Sequence, residues 1–312
     1  MLQSLIEIIF NTHFGHGVLR VTTPILFAAL GALISSRAGI INVSLEGTML
    51  TAALVGVVFS GISQSPWIGL IAAVIAGMIV GLTLVFFSLN LKTDIILAGI
   101  ALNLMAGGGT IFALFVVSGD RGISSSIRSH VLPMICIPLI QDIPIIGRIL
   151  SGHNVLTYLS IVAVVIIYYL LYKTPLGIRI RAVGENRHAA DSVGISVTKV
   201  QYIALIISGA LAGFGGAYMS MGHVSWFSTN MTAGRGFIAL AANALGMAAP
   251  FGVLLTSLLF GFADALSNSL HSLKIPSQFV QMIPFVATIL GLLFYSIQQT
   301  NKANRIRKEQ KA

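Results

Sequence analysis

The chain has 312 residues, of which 56% are hydrophobic and 9% are charged. A soluble globular domain carries about 25% charged residues, so this composition excludes a soluble globular protein. The net charge of +9 does not indicate a nucleic-acid partner, because the basic residues concentrate in two hydrophilic segments, 173–199 and 302–311, as in cytoplasmic loops of membrane proteins. A single cysteine, Cys136, excludes an internal disulfide and a cysteine-based metal site, and neither a metal ion nor a cofactor is expected.

Apolar stretches long enough to cross a bilayer recur along the whole chain. A helix needs about 20 residues for this, and lipid offers no hydrogen-bond partners to an open sheet edge. The predicted fold is therefore all-α, a polytopic transmembrane helical bundle. About nine spans are expected, within a range of eight to ten, at residues 18–36, 43–62, 66–89, 94–118, 152–172, 199–221, 233–249, 250–271 and 276–298.

The segments between the spans suggest an orientation. Basic residues place the loop 173–198 and the tail 299–312 in the cytoplasm, and the four predicted spans between them return the chain to the same side. Counting back along the chain, 119–151 is an external cap and the N-terminus is outside. The segment 1–17 either lies in the membrane interface as an amphipathic helix or inserts as a tenth span, ahead of a transmembrane domain over 18–298.

Polar residues within or next to the predicted spans are candidates for function, because such groups are expensive in lipid and usually face the bundle interior. The six candidates for a substrate path are Asn42, Glu46, Asn103, Asn243, Asp264 and Asn268. Asn42 and Glu46 lie one turn apart at the start of the second span, and Asp264 and Asn268 form a stripe with His271 on the eighth. Each set either lines a transport path or holds helices together, and the helix dipole also favours a carboxylate in a first turn.

A short polar helix is predicted where the chain is otherwise apolar. In the stretch GENRHAADSVGIS (184–196) the side chain of Asn186 can accept an N–H at a helix start, the helix covers 188–193, and Gly194 suits its left-handed end. A helix of about two turns does not persist alone in water. Either the chain itself braces it as a solvated loop helix, or a partner receives it.

At these residues the chain resembles the permease subunits of ABC importers. Glu185, the paired alanines Ala189 and Ala190, and Gly194 match the cytoplasmic loop of those permeases in order and spacing. The resemblance implies that this loop is a coupling helix, seated in a groove of a separate ATPase subunit. The residues expected to couple the two subunits are Arg181, Gly184, Glu185, Asn186, Ala189, Ala190 and Gly194.

The resemblance continues in register from about residue 20 to residue 298. It is carried, in order, by the segments RAGIINVSLEGTML, TPLGIRIRAVGENRHAADSVGIS, SGALAGFGGAY, GRGFIALAANALG, GFADAL and IPSQFVQMIPFVATIL. These segments are similar to permeases for simple sugars, nucleosides and branched-chain amino acids. The cap and the C-terminal segments look most like the shorter permease subunit of bacterial nucleoside importers.

This resemblance implies a multi-pass subunit of a bacterial cell membrane importer, most similar to importers of nucleosides. An ABC ATPase subunit, a second permease subunit and an extracellular substrate-binding lipoprotein would complete the complex in the bilayer. The dipeptide Gly-Lys never occurs, so a phosphate-binding loop is absent and the chain is not expected to be an enzyme. Three other functions remain open: an ABC permease for simple sugars, a secondary transporter coupled to an ion gradient through Glu46 or Asp264, and a membrane scaffold that transports nothing.

Overall fold

The computed structural model describes residues 12–136 and 146–270, together with positions 286, 289 and 293. Two antiparallel strands of two residues each, β1 (Met134–Ile135) and β2 (His153–Asn154), pair at one end of a helical bundle. The predicted all-α fold class is confirmed. The helices are α1 (Thr12–Arg37), α2 (Leu45–Ser63), α3 (Pro66–Leu89), α4 (Ile95–Ser118), α5 (Ile146–Leu150), α6 (Val155–Lys173), α7 (Pro175–Glu185), α8 (Arg187–Ser192), α9 (Val197–Met221), α10 (Arg235–Leu245) and α11 (Pro250–Leu270).

Seven of the described helices are long and apolar enough to cross a membrane, namely α1, α2, α3, α4, α6, α9 and α11. They coincide with seven predicted spans, although α1 begins at Thr12 rather than at residue 18. Helix α10 has only 11 residues, which is about half the thickness of a hydrocarbon core, so the predicted span 233–249 is not a full helix. The predicted span 276–298 lies outside the described residues apart from three isolated positions. The count of about nine spans is therefore not confirmed.

Contacts between distant segments define two ends of the bundle. At one end, here named the Arg37 end, Nε of Arg37 donates to the carbonyl of Ala248 at 2.7 Å. Helix α7 lies at the same end, because the backbone of Gly184 packs against the Arg37 carbonyl. At the opposite end, here named the cap end, the Ser124 N–H donates to the carbonyl of Phe227 at 2.9 Å. The loop that carries α7 and α8 and the predicted cap thus lie at opposite ends.

The segment from Phe227 to Ala248 runs between these two ends. Its first part, 228–234, is a series of turns, and its second part is α10. The segment therefore passes once through the bundle, partly as irregular backbone and partly as helix. This explains why its composition predicts a span although its helix is short. Many transporters place such discontinuous helices at the site where they bind solutes.

Helices α3 and α9 pack backbone against backbone. A Cβ added at Gly209 would lie 2.2 Å from the carbonyl oxygen of Gly77, and one added at Gly213 would lie 2.9 Å from that of Ala73. Small residues spaced by one turn allow helices to approach this closely in lipid. The contact joins the helices that precede the cap to those that follow it.

Gly209→Ala is expected to lower the thermal stability of the protein, because the new Cβ requires α3 and α9 to separate. Overpacking of this kind costs typically about 1–3 kcal/mol. Gly107→Ala in α4 is the matched control, since a Cβ added there meets no atom within 4 Å, and the better helix propensity of alanine favours it by about 1 kcal/mol. Melting temperatures measured in one detergent check both variants. Equal melting temperatures would contradict the close contact.

Candidate coupling loop and polar centre

The short polar helix predicted from the sequence is present as α8. The side chain of Asn186 accepts the N–H of Ala189 at 3.0 Å and so caps the helix start. Gly194 follows the helix end with a φ of 81°, the left-handed conformation that glycine tolerates. The predicted cap and terminator are confirmed, and the helix runs one residue earlier than expected.

The chain itself braces this helix. Ala190 is 3% exposed and packs into the hydrophobic core, and the Ile195 N–H donates to its carbonyl at 3.0 Å. Arg187 donates through Nη2 to the carbonyl of Gly39 at 2.9 Å. A Cβ at Gly184 would lie 2.1 Å from the Arg37 carbonyl oxygen, so only glycine fits there without displacement. The loop is thus held in place by the turn that follows α1.

The predicted coupling residues divide into two groups. Ala190 and Gly184 hold the loop against the bundle. Arg181 does so too, because its Nε donates to the Leu171 carbonyl at 3.1 Å and its guanidinium lies 4.9 Å from the ring centre of Tyr172. The other group is exposed at the Arg37 end and comprises Glu185, Asn186, Ala189 and Gly194, next to the exposed side chains of Arg187, His188, Asp191, Ser192 and Val193. Their coupling role stays a prediction.

A carboxylate inside the bundle holds the start of α10. Glu46 lies in the first turn of α2, and its two oxygens accept the N–H groups of Gly234 at 2.8 Å and Gly236 at 2.7 Å. Gly234 is the residue that precedes α10 and has a φ of 81°. The first N–H groups of a helix have no partner within the helix and carry partial positive charge. Glu46 therefore accepts the first N–H groups at the start of α10.

An ion pair joins the same helix start to α11. Nη2 of Arg235 lies 2.8 Å from Oδ2 of Asp264, and the two side chains are 18% and 12% exposed. Asp264 was predicted from the sequence and Arg235 was not, although a charged residue inside a predicted span is a usable signal. Arg235 thus joins Glu46 and Asp264 in a group of three charges inside the bundle, here named the polar centre.

The amides of Asn42 and Asn103 are engaged around the start of α2. Asn103 accepts the Gly47 N–H at 2.8 Å and donates to the Val43 carbonyl at 2.9 Å. Asn42 donates to the Ser208 hydroxyl at 2.9 Å, and its side-chain carbonyl accepts from the N–H and the hydroxyl of Ser44. Both ends of each amide are occupied, which favours the structural alternative for these residues. Their place in a transport path remains a prediction.

The two remaining polar residues from the sequence analysis differ in burial. Asn243 is buried and donates through Nδ2 to the Ser36 hydroxyl at 3.0 Å, whereas its Oδ1 has no hydrogen-bond partner in the described part of the chain. Asn268 is exposed one turn after Asp264 on α11. The third member of that predicted stripe, His271, lies outside the described residues. The structure therefore groups Asp264 with Arg235 rather than with a row of polar residues on one helix.

Outside the membrane-spanning helices, three groups at the cap end have shifted pKa values. Burial lowers the pKa of His223 to about 4, and the positive charge of Arg20 acts in the same direction. Burial also lowers the pKa of His153 below its ordinary value. Hydrogen bonds from the N–H and hydroxyl of Ser126 lower the pKa of Asp120. At neutral pH both imidazoles are therefore uncharged, and the carboxyl is ionised.

A helical bundle with a discontinuous passage that begins on a partly buried carboxylate, and with a braced polar loop at one end, has the architecture of a membrane transport subunit. The chain belongs to the family described as branched-chain amino acid transport system / permease component, whose family model matches residues 16–297.

Known proteins of similar sequence cover nearly the whole chain. The nucleoside ABC transporter permease protein NupC of Lactococcus lactis subsp. cremoris is 37% identical over 287 residues, which are 88% of this chain and 89% of that protein. The guanosine ABC transporter permease protein NupQ of Bacillus subtilis is 35% identical over 295 residues, 91% of this chain and 92% of that protein. Among solved structures, PsaBC from Streptococcus pneumoniae in complex with a Fab matches with a TM-score of 0.54 and 14% identity, over 93% of this chain and 95% of that one. This last likeness concerns the fold alone.

Proposed function

We propose that this chain is the transmembrane permease subunit of an ATP-driven ABC importer for nucleosides in a bacterial cell membrane. The observation that carries the proposal is the similarity, over about nine-tenths of both chains, to two permeases whose names specify nucleosides and guanosine. The subunit makes and breaks no covalent bond in this proposal. A separate ATPase subunit supplies the energy, and the permease provides the path.

The exposed face of α8 is the surface that the ATPase subunit would engage. Movement there reaches the bundle through two hydrogen bonds, from Arg187 to the carbonyl of Gly39 and from Arg37 to the carbonyl of Ala248. The acceptor of the second bond, Ala248, lies three residues after the end of α10. The start of α10 is held by Glu46. A rigid chain of contacts of this kind can carry a displacement between sites. In this proposal, ATP binding in the ATPase subunit moves the loop that carries α8, and this movement shifts α10 and thereby the polar centre.

The positions of exposed polar residues suggest where two further partner subunits would bind. Arg235, Asp264 and Asn268 are inside or beside the bundle yet partly exposed, and charged groups are too costly to face lipid. We infer that this face lies against the second permease subunit and lines a water-filled path between the two subunits. The extracellular substrate-binding lipoprotein would deliver nucleoside to the cap end, which lies opposite α8.

Cysteine labelling tests the orientation on which this proposal depends. Single cysteines at Ser125 and Ser192, both exposed and at opposite ends of the molecule, are introduced in a Cys136→Ser background. In intact cells a membrane-impermeant maleimide is expected to label Ser125→Cys alone, and after permeabilisation it is expected to label both. Labelling of Ser192→Cys from outside would place the loop on the wrong side for a cytoplasmic ATPase.

A further inference from the structure

Arg235 is held by two different helices at once. The N–H groups of its neighbours Gly234 and Gly236 donate to Glu46 on α2. Its own side chain donates to Asp264 on α11 at 2.8 Å. A Cβ at Gly236 would lie 2.4 Å from the backbone nitrogen of Glu46, so the segment is pressed directly onto the start of α2. The backbone of residues 234–236 therefore contacts α2, whereas the Arg235 side chain contacts α11.

The ion pair between Arg235 and Asp264 contributes little to the free energy of folding. Two charges removed from water lose much of their hydration, and a well-packed apolar pair of similar volume is often as stable or more stable. The two side chains are also only partly buried, which for charged groups inside a membrane bundle means contact with a watery space rather than with lipid. A pair with this cost and this access to the proposed path points to a role beyond packing.

We propose that Arg235 is a positioning residue of the transport cycle, and that its ion pair with Asp264 opens and closes as the path changes between its two states. The inference rests on the proposed function as an ATP-driven permease. In the conformation described, the pair holds the start of α10 against α11, while Glu46 holds it against α2. Because α10 is short and preceded by turns, its start can move relative to α11 once the pair opens.

The test compares single and double variants in the full importer, reconstituted with its ATPase, second permease and binding protein. Arg235→Met leaves the Asp264 carboxylate unpaired, so recovery of the assembled complex is expected to fall. Arg235→Met combined with Asp264→Leu removes both charges, and recovery and melting temperature are expected to return to wild-type values. Nucleoside taken up per ATP hydrolysed is nevertheless expected to stay lower by roughly tenfold, the equivalent of one charge-assisted hydrogen bond. Arg235→Gln with Asp264→Asn, which keeps a hydrogen bond without charge, is expected to behave alike.

Each alternative outcome is distinct. Wild-type uptake per ATP in either double variant would show that the pair serves packing only and would overturn the inference. Failure of both double variants to assemble would also overturn it, because the pair would then be a requirement of folding. If the wild-type complex itself takes up no nucleoside with ATP, the proposed function fails instead, irrespective of the variants.

Discussion

Ala189→Trp is expected to weaken attachment of the ATPase subunit by roughly 10- to 100-fold while the permease stays folded. Ala189 is exposed on α8, so the indole would project into the groove that receives the helix. Added bulk at a close contact costs typically about 1–3 kcal/mol, and 1.4 kcal/mol is a factor of ten in affinity. Retention of the ATPase on immobilised permease, measured together with nucleoside uptake, checks the prediction.

The neighbouring alanine requires a different interpretation. From the sequence, Ala190 and Ala189 are equivalent candidates for the surface that meets the ATPase. The structure buries Ala190 against the bundle, so Ala190→Trp would overpack the permease itself and could not report on the partner. Ala101→Trp, on an exposed face of α4, is the matched control and is expected to retain the ATPase. Full retention with Ala189→Trp as well would remove α8 from the interface.

Glu46→Ala is expected to be among the most destabilising single changes in the protein, costing about 3 kcal/mol or more. The substitution leaves the N–H groups of Gly234 and Gly236 without their acceptor inside the bundle, and each hydrogen bond to a charged group contributes about 1.5–3 kcal/mol. Glu46→Gln, which retains one carbonyl oxygen, is expected to lie between alanine and wild type. Melting temperature and recovery of folded protein in detergent measure the effect.

Asp94 offers a matched comparison for Glu46. Its carboxylate also accepts two backbone N–H groups, those of Ile96 and Leu97, but at an exposed helix start. Water can replace it there, so Asp94→Ala is expected to cost about 1 kcal/mol. Equal losses of stability in Asp94→Ala and Glu46→Ala would mean that burial of the α10 start does not matter, and the account of the polar centre would then be wrong.

Local features of the fold were predictable from sequence because they depend on neighbours in the chain. Asn186 caps α8 and Gly194 ends it through contacts within a few residues, and the long spans follow from apolar length. The burial of Ala190 was not predictable, because it depends on how α8 packs on the bundle. A helix of six residues is too short for the spacing of its apolar residues to identify the buried face.

The polar centre shows a second limit of sequence reasoning. Hydropathy marks 233–249 as a span because its composition is apolar, yet its helix covers only Arg235–Leu245 and the turns 228–234 precede it. Irregular backbone is tolerated there because its N–H groups find acceptors within the protein. Thr229 donates to the carbonyl of Gly122, and Gly234 donates to Glu46, which is 188 residues away in the chain. Arg235 could have been singled out as a charged residue inside a predicted span, but its partner Asp264 becomes evident only in the fold. Contacts of this range are specified by the fold rather than by any local pattern.

The central claim is that ATP, rather than an ion gradient, drives nucleoside through this subunit. The most direct measurement is uptake of radiolabelled guanosine into proteoliposomes that contain the complete importer, with ATP supplied on the side of α8 and the binding protein on the side of the cap. We expect uptake to require ATP and to continue when ionophores collapse all ion gradients. Uptake that proceeds without ATP and stops with the ionophores would contradict the account and identify a secondary transporter.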